Sequence, residues 1–321
     1  MKQNYILRLA IALVIGIAVT WIAYIIIIDA DKKFFNSMRK NEFIFREDTT
    51  RYDILLLGSS RMKNTVNPRI IDSMTGLNSY NAGASGAHIS EIKSILDAYL
   101  LQHCPPSYII LALDYFALEV HHAVAYYPTY ITVNHLEPID KMLRSEGVHT
   151  GMYKIFPFLR LTALDDYYKS IVLQTIRNRD DMADDDFLYK GYVSNTAVTI
   201  PRDSLGPAQT IDIQDKGKKI LSDLLALCRE KNIRLVLTYA PEFRRNNIEN
   251  ISNADTILNY YAQIAAQNNL PFYRHDLLPM CDSPAYFVNN GHVNRIGADV
   301  YSYNLAQQLV KDGIIKPAAL Q

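Results

Sequence analysis

Hydrophobic positions are distributed along this chain in three ways. From Leu9 to Ile28 they form a long run with no charged residue, dense in Ile, Val, Leu and Ala. About 20 helical residues suffice to cross the hydrocarbon core of a bilayer. Trp21 and Tyr24 near one end, and Tyr5 near the other, suit the aromatic belts at the two interfaces. A cleaved signal peptide would carry a shorter apolar stretch ending in small residues, whereas Tyr24-Ile25-Ile26-Ile27-Ile28 stays bulky up to Asp29. The pattern predicts an uncleaved anchor over 1–28 and a charged juxtamembrane stalk over 29–50.

The second pattern is short apolar runs separated by amphipathic stretches. Asp53–Leu57, Tyr108–Leu113, Ile233–Tyr239 and Pro271–Tyr273 read as strands, the first two being nearly continuous apolar runs of the kind buried on both faces. Asn67-Pro68 reads as a helix start, with Asn as cap and Pro at the first position. Ser90–Leu101, Lys216–Lys231, Thr256–Gln267 and Asn294–Val310 read as helices. Strands alternating with helices predict an α/β fold over 51–315, a doubly wound parallel sheet between two helical layers, flavodoxin-like in its layering. In such sheets ligands bind beyond the carboxyl ends of the strands, so the residues just after each strand become the candidates for chemistry.

The third pattern is the lapse of both periods over about 117–213. This stretch holds Tyr126, Tyr127 and Tyr130, the pair Tyr167-Tyr168, and the acidic run Asp180-Asp181 and Asp184-Asp185-Asp186. The run lacks the Gly and terminal Glu of a calcium loop, so it reads as a solvated loop. The whole stretch reads as an insertion or cap on the α/β domain, and its tyrosines make it a candidate for glycan contact.

Composition narrows the classes. Lys plus Arg and Asp plus Glu both number 33, leaving no basic excess for a nucleic-acid partner. Twenty-two tyrosines accompany a single Trp, which is compatible with sugar or glycan contact, packing being the commoner reason. Cys104, Cys228 and Cys281 are widely spaced, show no C-x-x-C pairing, and read as small buried hydrophobes, with one disulfide left open. No motif calls for a metal or a cofactor. Lys2 and Arg8 precede the span while Lys32, Lys33, Arg39 and Lys40 follow it, so counting basic residues alone places the C-terminal side in the cytoplasm.

Three segments after predicted strands carry residues suited to acyl chemistry. Gly58-Ser59-Ser60-Arg61 puts a serine on a tight strand-to-helix turn, where a nucleophile is exposed near backbone N–H donors; a helix-capping turn is the plainer reading. Asn81-Ala82-Gly83-Ala84-Ser85-Gly86-Ala87 is small enough for a backbone to approach a ligand. Phe287-Val288-Asn289-Asn290-Gly291-His292 places a histidine just before the last helix. Arg61 suits either an anionic substrate group or a salt bridge, the salt bridge being the commoner role.

In this order and spacing, the three segments resemble the SGNH/GDSL hydrolase superfamily over about 50–120 and 215–312. The resemblance implies Ser60 as nucleophile, its backbone N–H and that of Gly86 as oxyanion donors, and His292 as general base. Two positions depart from the family pattern. The block that supplies an oxyanion Asn reads Leu113-Asp114-Tyr115-Phe116, and the Asp three residues before the base is Asn289. Asn289 can orient an imidazole but adds no negative charge; in a serine protease that exchange costs about 10⁴ in turnover. Asp114, Asp282 and Asp299 remain as alternative supports. An anchor followed by such a domain is similar to bacterial cell-envelope O-acylation proteins of the alginate O-acetylation and D-alanyl transfer type. That similarity implies an extracytoplasmic domain on the bacterial inner membrane, an envelope glycan as substrate, and a membrane-bound O-acyltransferase as partner. A membrane-tethered esterase and a catalytically impaired accessory subunit are the other readings.

Overall fold

The computed structural model describes residues 2–33, 50–119, 124, 128–131, 133–160, 188–195 and 207–316. Tyr126, Tyr127, Tyr167, Tyr168, the acidic run at 180–186 and most of the expected stalk lie outside the described residues. Helix α1 (Lys2–Lys33) contains the apolar run and continues past it into the first residues of the expected stalk. Its stretch Tyr5–Ile27 has a mean hydropathy of 2.6, long and apolar enough to cross a membrane.

Five strands make one parallel sheet: β1 (Ile54–Leu57), β2 (Ser79–Asn81), β3 (Tyr108–Ala112), β4 (Arg234–Tyr239) and β5 (Phe272–Arg274), in the order β2-β1-β3-β4-β5. Leu56 pairs with Asn81 on one side and Ile110 on the other, and Ile110 with Val236. Every residue of β1 and β3 is buried, as a central parallel strand requires. Alternate side chains leave the sheet on opposite faces. Leu55 and Leu57 join the core layer of α4 (Ile89–Gln102), α6 (Asp215–Glu230) and α7 (Ala254–Gln267). Ile54 and Leu56 join the layer of α3 (Pro68–Thr75) and α8 (Arg295–Lys311). The fold is thus the doubly wound α/β/α sandwich expected from the sequence. The direction of winding reverses between β1 and β3, which is where such sheets open a crevice at their carboxyl edge.

The insertion leaves between β3 and β4. Its helix α5 (Glu137–Ser145) buries Ile139 and Leu143 in the core on the α4 side. Tyr130 is fully buried, and its hydroxyl donates to Glu91 Oε1 at 2.5 Å. Burial pushes that carboxyl up to about 7. Tyr130 therefore fastens the insertion to α4 and is not placed for glycan contact, contrary to expectation. The hairpin Leu188–Tyr189/Tyr192–Val193 lies against the β2 edge, with Asn81 N donating to Lys190 O at 2.8 Å. It covers an edge that would otherwise expose unpaired backbone groups. All three cysteines are free; Cys228 and Cys281 are buried as expected, whereas Cys104 is exposed.

Candidate active site

Gly58 ends β1 with φ +154, and a Cβ there would stand 2.9 Å from Met62 Cβ and 3.0 Å from Ala112 Cβ. Only glycine fits, so the chain can turn sharply from strand into the single-turn helix α2 (Ser60–Lys63). Ser59 is the cap of that helix: its Oγ accepts from Arg61 N at 3.1 Å and donates to Asp114 Oδ2. The capping reading of this turn is correct, then, but for Ser59. Its neighbour Ser60 is left with its hydroxyl free for other work.

That hydroxyl lies 2.8 Å from His292 Nε2, across 232 positions of sequence. His292 is presented by the hairpin Phe287–Asn289/His292–Val293, tied to the segment after β4 by Phe243 N donating to Asn290 O at 2.9 Å. Its other ring nitrogen, Nδ1, is 3.0 Å from Asn289 Oδ1. Gly291 N and His292 N also reach Asn289 Oδ1, each at 2.9 Å. Two backbone donors on one amide atom identify it as the oxygen. An oxygen can only accept, so Nδ1 carries the ring proton and Nε2 presents a lone pair. Ser60 Oγ–H must then donate to Nε2, the tautomer a general base needs.

Desolvation by burial holds the His292 imidazole below the usual histidine range; the charges of Arg61 and Lys63 press the same way and Asp114 opposes them. The ring is therefore neutral near pH 7. Among the described residues no carboxylate hydrogen-bonds to it. Asp299 accepts instead from Asn67 Nδ2 at 3.0 Å, and Asp114 is engaged by Ser59 and Arg61. Of the supports weighed from sequence, Asn289 is the one in place.

Arg61 does not face the site's open side. It is 3% exposed, its Nη1 lies 3.1 Å from Asp114 Oδ1, and its Nη2 donates to Ala240 O at 2.6 Å. The guanidinium also stacks over Tyr239, 4.7 Å from the ring centroid. It pins the loops after β1, β3 and β4 together, a structural salt bridge in place of the substrate contact also considered. Asp114, in the block where the family pattern has an oxyanion Asn, is consumed by this pair.

The glycine-rich loop is clamped onto α2. Asn81, fully buried, donates through Nδ2 to Met62 O at 2.9 Å and Val66 O at 2.7 Å, while its Oδ1 accepts from Gly83 N at 3.0 Å. A Cβ on Gly83 would come within 2.6 Å of Lys63 N. Gly86 follows at φ +69, and neither its N–H nor that of Ser60 has a hydrogen-bond partner among the described residues. Sequence reasoning missed Lys63. Its Nζ donates to Ser85 Oγ, beside Gly86, and no carboxylate is within ion-pair distance among the described residues. Burial lowers its pKa. The signal was its spacing: a residue three after Ser60 shares its helix face.

No protein-family model matches the chain, and no curated protein does. Among solved structures it is similar to a protein from Desulfitobacterium hafniense DCB-2 described as lipolytic and of the G-D-S-L family. That match has 7% identity and a TM-score of 0.40, covering 80% of this chain and 99% of that one. It is also similar to a protein from Bacteroides fragilis NCTC 9343 described as an acylhydrolase, at 12% identity and a TM-score of 0.41, covering 86% of this chain and 94% of that one. The α/β assignment stands on the parallel strand order and on the helices that cover both faces of the sheet.

Proposed function

We propose that the protein is a membrane-anchored serine acyl-ester enzyme of SGNH type, with Ser60 as nucleophile, His292 as general base and Asn289 as the group that orients the base. The observation that carries this reading is the relay Ser60 Oγ, His292 Nε2, His292 Nδ1, Asn289 Oδ1, continuous at 2.8 and 3.0 Å. Nε2 takes the Ser60 proton as Oγ attacks the ester carbonyl. The Ser60 and Gly86 N–H groups hold the oxyanion, and the Lys63 ammonium, which reaches Ser85 Oγ beside Gly86, adds positive potential. Collapse breaks the bond to the alkoxy oxygen, which leaves with the proton from Nε2. A second hydroxyl then attacks the acyl-serine while Nε2 takes its proton, the carbonyl–Oγ bond breaks, and Ser60 Oγ leaves with that proton: water gives an esterase, and a sugar hydroxyl gives an O-acyltransferase.

Transfer to an envelope glycan, beside a membrane-bound O-acyltransferase partner, is the finer reading; it draws on the family resemblance and on α1. The deciding experiment uses the full chain in detergent with p-nitrophenyl acetate, and intact-mass detection of an acetyl adduct. Wild type acquires the adduct and Ser60→Ala does not; an equal adduct in Ser60→Ala sinks the assignment. The amide at 289 favours one further reading, an accessory subunit with an idle site. That reading requires no adduct in wild type or in Asn289→Asp.

A further inference from the structure

The short helix Thr150–Ile155 is built the wrong way round for a helix facing water. Its polar side points at the protein: Thr150 is 1% exposed and its Oγ1 accepts from Arg144 Nε at 3.1 Å, and Lys154, one turn on, pairs with Asp140 at 2.7 Å. Its apolar side points away, with Met152 55%, Ile155 71% and the following Phe156 47% exposed. Elsewhere in the globular part, apolar helix residues of this size are mainly turned inward. A contiguous exposed patch of this kind marks an interaction surface.

The patch is continuous with α1. Phe156 lies 5.9 Å from Phe158, Phe158 lies 6.4 Å from Trp21 edge to face, and Trp21 lies 5.6 Å from Tyr24. Arg160 Nη1 donates to Tyr24 Oη at 3.2 Å, while its Nη2 donates at 2.9 Å to Asn134 Oδ1, itself fully buried in the domain. One arginine thus bolts the anchor helix to the globular part. Trp21 and Tyr24 stand near the end of the apolar span, where aromatic rings meet the headgroups. Whatever is fixed beside them is fixed at that depth.

We propose that the segment 150–160 is a membrane-seated collar: Met152, Ile155 and Phe156 enter the headgroup–acyl boundary beside α1, and the α/β domain rests on the lipid surface rather than hanging from a free tether. An apolar face laid in the interface plane, with the polar face held by protein in place of water, is the interfacial mode of amphipathic helices. This rests on α1 spanning the bilayer and is independent of the chemistry at Ser60.

The test uses the full chain in phosphatidylcholine/phosphatidylglycerol vesicles on a Cys104→Ser background, because Cys104 is the exposed native thiol. An environment-sensitive fluorophore is placed by Ile155→Cys, with Ile15→Cys in α1 and Asp255→Cys on α7 as references. The expected result is a label at 155 that is blue-shifted, quenched by shallow nitroxide lipids and shielded from iodide, and a label at 255 that is open to iodide. With Met152→Gln and Phe156→Gln added, the label at 155 becomes iodide-accessible while that at 15 stays in lipid. A label at 155 as open to iodide as that at 255, with 15 lipid-quenched, overturns the collar and leaves the anchor standing. A label at 15 outside lipid overturns both. Neither result touches the assignment of Ser60.

Discussion

Asn289 Oδ1 stands 3.0 Å from His292 Nδ1 while accepting two backbone N–H groups of its own hairpin. The tautomer of the imidazole is therefore set by an amide, without the negative charge that a carboxylate would bring to an imidazolium.

Restoring that charge strengthens the base. In Asn289→Asp the same oxygen accepts the same backbone donors, so the geometry is retained while the imidazolium gains a counter-charge. We expect kcat/KM for p-nitrophenyl acetate to rise by about tenfold or more, a fraction of the ~10⁴ that the reverse exchange costs in a serine protease. An unchanged or lower rate in a folded variant counts against His292 as the base.

The pH profile carries the same information. Burial lowers the His292 pKa, so the neutral form persists into mildly acidic solution. The acid limb of kcat/KM then lies below the ordinary histidine value of about 6.5, falling tenfold per pH unit beneath it. In Asn289→Asp the added charge moves that limb upward. A wild-type limb above pH 7 contradicts the assignment.

Lys63 is expected to act on the charged intermediate. Lys63→Met lowers kcat by about tenfold with KM little changed, and Lys63→Arg recovers part of it, a smaller loss than the roughly 10²–10³ for a direct oxyanion donor because Lys63 acts through its charge. A purely structural role would lower melting temperature and leave kcat of the folded fraction alone.

Breaking the Arg61–Asp114 pair is costly because each charge is buried. Arg61→Met strands Asp114, and we expect a loss of about 3 kcal/mol in denaturant unfolding. Adding Asp114→Leu recovers part of it, since Asp114 is no longer stranded and only Glu242, 3.9 Å from Arg61 Nη2, has lost its counter-charge. Strictly additive losses argue against coupling.

His275 gives stability its own acid dependence. Burial pushes it down to about 4, with Thr238, Tyr301 and Gln308 around the ring. Between about 6.5 and about 4 the unfolded chain binds a proton that the folded chain does not. Stability is full above pH 6.5 and falls by about 3 kcal/mol as pH drops to 4. His275→Gln flattens this slope, which unfolding at several pH values would show.

Much of this was legible from the sequence because burial writes a period. Ile54–Leu57 and Tyr108–Ala112 are apolar at every position since both faces are covered, and their ends fell within a residue of expectation. Ser60 and His292 were legible by position, each beyond a strand or before the last helix. What pattern could not supply was partnership. Arg61 looks alike in sequence whether it meets substrate or Asp114; only the convergence of three loops decides it. Tyr130 likewise reads as surface aromatic until Glu91, on another helix, is placed opposite it. Lys63 was overlooked because its meaning lies in the absence of a neighbouring acid.

The separation of Ser60 from His292 by 232 positions has a temporal consequence. The proposed nucleophile is made in the first fifth of the chain, yet it has no imidazole beside it until the last hairpin has been synthesised and docked. β3 and β4, neighbours at the centre of the sheet, are themselves joined only after more than 100 intervening residues have been gathered in. On the proposed assignment, reactivity is withheld from every form that lacks the last hairpin. Assembly of the last tenth of the polypeptide is then the arming step of the proposed site.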